Sequence, residues 1–308
     1  MKTAYGWRQI VDTLLLLVVL PLAGIVVAGK PVARYMEFPP VTHYVKHAAF
    51  SWPLFILLAV FTVAVVIPFL VKVALSQQAA APPSRRTGRF PWWGWLGMAV
   101  ILVNWVLAWN RFTWFAALQP FTFSPFWFGY ILVINAWTFK RSGHCMLHDR
   151  LRHTLFLFVA SAAFWWYFEY LNRFVQNWYY VGVYPARDFI AGALFTMLAF
   201  ATVFMGIFQT YDAVTATGLW KRWKGTTRTF PRRLSYVLQG IGIGMALLAL
   251  FFPHYLAPLI WGSFTLIVDP WNYRRGTRSL LRDLDTGDYG ILARLLLAGL
   301  ICGVVWES

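Results

Sequence analysis

Glu169, Asn172, Arg173 and Gln176 stand at i, i+3, i+4 and i+7 inside AFWWYFEYLNRFVQNWYY, residues 163–180. On an α-helix that spacing lines all four along one face, with the carboxylate one turn ahead of the guanidinium, the order that favours an ion pair. Two tasks fit the stripe. In one, Glu169 and Arg173 pair and lock their helix to its neighbours, while Trp165, Trp166, Tyr167, Trp178, Tyr179 and Tyr180 lie at a membrane–water interface. In the other, burial in hydrocarbon favours the neutral acid at Glu169, which donates a proton with Asn172 and Arg173 beside it and the rings stabilising positive charge. The sequence supports both equally: acids inside membranes usually have a task, yet the neighbouring arginine favours the charged form.

Other polar residues reach a similar level if their segments are straight helices. Glu169 lies 15 residues past Thr154, about 22 Å along a helix, within the outer third of a hydrocarbon core roughly 30 Å thick. Asn104 is 12 residues, about 18 Å, past Trp92, and Arg111 follows on the same face two turns later. Glu307 is 17 residues, about 25 Å, past Gly290. The expectation is an outer-leaflet polar and aromatic pocket. Glu169, Asn172 and Arg173 would do its chemistry, and Asn104, Arg111, Trp165, Trp166, Gln176 and Glu307 would bind substrate.

Histidines suggest less. His43 and His47, in the segment 31–50 with Glu37, have the i, i+4 spacing that metal sites use, but one such pair reads as wet interfacial histidines, and no metal is expected. The loop GHCMLHDRLRH, residues 143–153, holds His144, Cys145, His148, Asp149 and His153. His144 and His148 form an HxxxH pair that resembles one histidine box of the membrane di-iron desaturases and hydroxylases. Those enzymes need several boxes, whereas this chain has six histidines and no HxxHH, so the loop reads as a solvated basic segment and no cofactor is expected. Cys145 and Cys302, the two cysteines, fall at different levels, which argues against a disulfide. Gly-rich phosphate loops, GxSxG elbows and HExxH helices are absent, so nucleotide hydrolysis and the familiar serine or zinc hydrolyses have no support.

The elements that must position these residues follow from composition. Hydrophobic residues make up 59% of the 308 and charged residues 12%, and mean hydropathy is +0.58. The apolar residues come in blocks long enough to cross a bilayer. Stretches such as VDTLLLLVVLPLAGIVVAG (11–29) lack the two-residue alternation of barrel strands. Backbone polar groups in hydrocarbon must pair internally, so the expected fold is an all-α polytopic transmembrane bundle. Nine segments are expected, at approximately 10–29, 49–75, 92–109, 121–139, 154–174, 188–210, 236–252, 255–268 and 290–306. The eighth, stopped by Asp269-Pro270, is short enough to be re-entrant or strongly buried. The first is longer than a signal-peptide core and contains Asp12, which favours a retained anchor.

With nine crossings, 21 of the 27 Lys and Arg residues fall on the side of the N-terminus and six on the other. Basic loops stay in the cytoplasm, so the N-terminus is expected inside, in a cell membrane and most simply a bacterial inner membrane. The net charge of +16 then reflects insertion and attraction to anionic membrane lipids. Nucleic acid is not an expected partner, because Trp beside Lys and Arg in WKRWKGTTRTFPRR (220–233) is an ordinary interfacial anchor.

Residues 1–308 read as one transmembrane domain, with SQQAAAPPSRRTGRFP (76–91) separating a two-helix unit 1–75 from a bundle 92–308. WNRFTWF (109–115) and LNRFVQNW (171–178) echo each other faintly. The chain ends at Val305-Trp306-Glu307-Ser308, where the last helix should emerge, which suggests a docked terminus or an incomplete chain. Function is read as a membrane-embedded enzyme acting on a lipid or isoprenoid. A transporter or channel for a small solute and a non-catalytic subunit of a membrane complex are the alternatives.

Overall fold

A computed structural model describes residues 11, 15–27, 29, 31–36, 49–77, 88–180, 189–221, 223, 226–227 and 229–307. Every regular element among them is helical. A π-turn Leu15–Val19 leads into α1 (Leu20–Val27), followed by α2 (Val32–Met36), α3 (Trp52–Gln77) and α4 (Trp92–Trp109). After two 3-10 turns come α5 (Phe123–Ser142), α6 (Met146–Asp149), α7 (Leu151–Val175) and α8 (Phe189–Ala216). The last elements are α9 (Arg232–Phe251), α10 (Pro253–Leu256), α11 (Leu259–Arg274), α12 (Leu280–Asp285) and α13 (Tyr289–Glu307).

Six of these, α3, α4, α7, α8, α9 and α13, are long and apolar enough to cross a membrane, so the protein is a multi-pass helical membrane protein. The described residues of the other three expected segments are also largely helical. They fall short of spans for readable reasons: α11 has 16 residues, α5 ends in Lys140 and Arg141, and only residues 17–27 of the first segment form a continuous apolar helix among the described residues.

The chain condenses into two compact units, neither contiguous in sequence. The smaller is built from Met1–Ala48, Tyr167–Tyr180 and Phe230–Arg282, and the larger from Ala49–Trp166, Val181–Thr229 and Asp283–Ser308.

In the larger unit, small residues let helices touch backbone to backbone. A Cβ on Gly97 of α4 would stand 2.8 Å from the Gly129 carbonyl of α5, and one on Gly129 would stand 2.9 Å from the Gly97 carbonyl. Gly206 of α8 leaves room for Trp127, which is 1% exposed. Polar residues fasten the same helices. The Asn135 amide donates to Gln209 Oε1 at 2.5 Å, and Asn135 Oδ1 accepts the Leu147 N–H that starts α6. Tyr130, Thr210 and Cys302 meet in a buried cluster joining α5, α8 and α13. The pairs Thr210–Cys302 and Leu219–Arg294 set α13 antiparallel to α8, and Trp127–Trp306 and Tyr130–Cys302 set it antiparallel to α5, so α5 and α8 run in one direction. That agrees with the alternation expected from the sequence. Helix α3 is exposed over nearly its whole length, with Val73 buried and Phe69 against Trp220, as a lipid-facing helix should be.

In the smaller unit α9 and α11 form an antiparallel hairpin closed by α10. Gly242 sits against the Leu266–Ile267 backbone, Gln239 donates to the Ile267 carbonyl, and Arg274 donates to the Ser235 carbonyl.

Candidate functional site

The expected polar face on α7 is real as far as Val175. There the helix stops: Gln176 adopts φ 46, a left-handed conformation, while its N–H still closes the last turn on the Asn172 carbonyl. Gln176 therefore turns the chain instead of extending the stripe. Residues 177–180 fold back over the helix end, and two buried side chains receive them.

Asn172 is 0% exposed, and its amide does the work of a backbone turn. Its Oδ1 accepts the N–H groups of Asn177 at 2.9 Å and Trp178 at 3.4 Å, and its Nδ2 donates to the Trp178 carbonyl at 2.7 Å. Glu169 is 3% exposed. Its Oε1 accepts from the Trp178 indole N–H at 2.8 Å and from the Tyr180 hydroxyl at 2.7 Å. Arg173 donates to the Tyr35 carbonyl of α2. The ion pair suggested by spacing is replaced by two donors delivered from the return segment. Trp261 of α11 completes the knot, stacked on Phe168 at 4.2 Å and lying 5.1 Å from the Trp178 ring.

On the opposite face of α7, Tyr167, Leu171 and Phe174 wall a cavity of about 200 Å³. Its other walls are Leu17, Pro21, Gly24 and Ile25 near α1, Ile243 to Phe251 on α9, and Ile260 to Ile267 on α11. Among the described residues Ser263, Tyr35 and Tyr167 supply its only polar side chains, and Ser263 already donates to the Ile260 carbonyl. Such a chamber favours an apolar chain. Nothing in the sequence pattern announced it, since it depends on which apolar faces fail to meet.

The remaining expected residues belong to the larger unit. Asn104 is buried and donates to the Thr122 carbonyl at 2.6 Å, fixing the connection from α4 to α5. Arg111 is exposed just past the α4 terminus, and Glu307 is exposed at the last turn of α13. Trp165 stacks on Phe200 at 5.6 Å, and Trp166 meets the edge of the same ring. Within this unit Trp306, the residue before Glu307, brings three of these neighbourhoods together: its ring lies 5.8 Å from Trp165 and 5.2 Å from Phe123, next to the Thr122 carbonyl that Asn104 holds. His43 and His47 lie outside the described residues.

In the loop before α7, two imidazoles face one carboxylate: His148 Nδ1 lies 2.6 Å from Asp149 Oδ1 and His144 Nδ1 3.3 Å from Oδ2. The His148 hydrogen bond, with the Cys145 N–H, holds Asp149 below the usual carboxylate range, and burial pushes the Cys145 thiol up. No group of three or more His, Cys, Asp and Glu is placed to hold a metal among the described residues.

No family model, curated protein or solved structure matches this chain.

Proposed function

We propose that this protein resides in a bacterial inner membrane with its N-terminus in the cytoplasm and binds a lipid or isoprenoid chain in the cavity walled by α1, α7, α9 and α11, as an enzyme acting on that chain. The observation that carries the reading is the chamber itself, about 200 Å³ lined by mostly aliphatic and aromatic side chains from α1, α2, α7, α9 and α11. An apolar chain gains from leaving neither water nor empty space against those walls. Buried polar groups of the larger unit close on each other, as Asn135 does on Gln209 and Tyr130 on Thr210, which argues against a solute path through them.

Proton transfer would rest on Glu169. Both donors converge on Oε1, which leaves Oε2 as the oxygen for a proton, and Asn172 keeps the surrounding turn rigid. Because Glu169 and the cavity occupy opposite faces of α7, a substrate would have to present its reacting group at the outer end of the helix, around Trp178 and Tyr180. Lipid extracts from cells with and without the gene test this directly. The expected result is one lipid species that changes with the gene and does not change with a Glu169→Gln copy. Identical extracts would remove the enzymatic reading.

A further inference from the structure

The α9/α11 hairpin ends, on the side away from α10, in six arginines: Arg232 and Arg233 open α9, Arg274 closes α11, and Arg275, Arg278 and Arg282 follow. Contact brings the two groups together. Arg274 donates to the Ser235 carbonyl and to Gln239 Oε1, and it feels the charge of Arg232. Aromatic rings steady two of the arginines: the Arg274 guanidinium lies 4.3 Å over Tyr236, and Arg275 lies 4.6 Å over Trp271. The carboxylate within this hairpin, Asp269, is occupied elsewhere, accepting the Leu280 and Leu281 N–H groups that begin α12. Arg232, Arg233 and Arg278 are exposed.

A basic face satisfies the insertion rule without any such arrangement. Here, however, guanidiniums are preorganised by stacking and by an amide, beside further exposed arginines. Planar donors fixed in this way suit the oxygens of a phosphate. The same helices wall the apolar cavity. Ile267, whose carbonyl accepts from Gln239, lines it, and Arg274 follows seven residues later, about 10 Å along α11. An apolar chamber and a cationic end in line on one helix pair match an amphiphile.

We propose that the arginine end of the α9/α11 hairpin binds the phosphate of an anionic membrane lipid, so that the lipophilic partner is a phosphate-bearing one. The tail half of this statement rests on the cavity reading above, and the head-group half does not.

The test uses the full chain in nanodiscs made from equal parts phosphatidylglycerol and phosphatidylcholine with identical acyl chains, released and weighed by native mass spectrometry. The wild type is expected to retain phosphatidylglycerol preferentially. Replacing the exposed residues by R232Q/R233Q/R278Q should cut that preference by about tenfold or more, since each basic residue near an anionic surface contributes measurably. A control of equal charge, K140Q/R152Q/K221Q, alters exposed positions elsewhere and should keep it. Equal loss in both triples would mean general surface charge and overturn the site. Loss of the preference on adding inorganic phosphate would mean a free-anion site and overturn the lipid assignment. Preference that survives A246W, which fills the cavity, supports the head-group site on its own, and total retained lipid unchanged by A246W would remove the tail reading, so the two can fail separately.

Discussion

Two antiparallel helix pairs, α4/α5 and α9/α11, solve the same packing problem differently. In α4/α5 glycines lie on both helices, so at Gly97 and Gly129 each backbone enters the other's groove, and the pair parts only toward the end of α4, around a pocket lined by Val103, Asn104, Leu107 and Pro125. In α9/α11 Gly242 is pressed against the partner's backbone and Gly262 against the end of the flexible Met245 side chain, while a Cβ on Gly240 or Gly244 would meet nothing within 4 Å. Small residues close a membrane joint when they face each other and leave slack when they do not. One pair is a joint. The other is the wall of a chamber, held by Gln239, Arg274 and, on the neighbouring α7, the Glu169–Asn172 knot.

If that contrast is right, the chamber unit should be most sensitive at its polar fastenings. Asn172→Ala removes the partners of two N–H groups and one carbonyl. It should lower stability by about 3 kcal/mol in a denaturant titration of the detergent-solubilised protein. An unchanged midpoint would mean the return segment is held otherwise.

Glycine substitutions sharpen the comparison at smaller scale. Gly97→Ala drives a methyl into the Gly129 carbonyl, and should cost about 2 kcal/mol. Gly24→Ala, on the cavity wall with nothing within 4 Å, should change stability by no more than about 0.5 kcal/mol. Equal costs at the two positions would erase the distinction between joint and chamber.

The smallest expected effect lies outside the membrane, at Asp149. Its carboxyl is held below the ordinary range by His148 and the Cys145 N–H, so the folded chain takes up that proton less readily than the unfolded one. The stabilisation is complete above about pH 4 and is lost as pH falls through the lower folded value. Asp149→Asn should flatten the acid limb of the melting temperature against pH and leave the neutral region alone. An unaltered acid limb would remove Asp149 as its source.

The all-helical fold was legible because hydrocarbon leaves the backbone few choices and apolar blocks are long. Burial of Glu169 and Asn172 was legible too, since a polar face amid aromatic residues must turn inward. Their partners were not. Helical spacing pointed Glu169 at Arg173, whereas Gln176 breaks the helix with a left-handed turn that no local glycine or proline signals. That turn delivers Trp178 and Tyr180, read from sequence as interfacial rings, to the carboxylate. The cavity was illegible for a different reason: a void is a property of how faces fail to match, and every residue lining it looks like core.

The chamber's occupant is the central claim, and photolabelling addresses it most directly. Membranes containing the protein would be loaded with a lipid carrying a diazirine in its acyl chain, irradiated, and the labelled residues mapped by mass spectrometry. Helix α3, exposed to lipid along its length, supplies the internal reference for nonspecific contact. The account predicts labels concentrated on the walls formed by residues 17–25, 243–251 and 260–267, and their loss in Ala246→Trp. Labelling of α3 with none on those walls would contradict it.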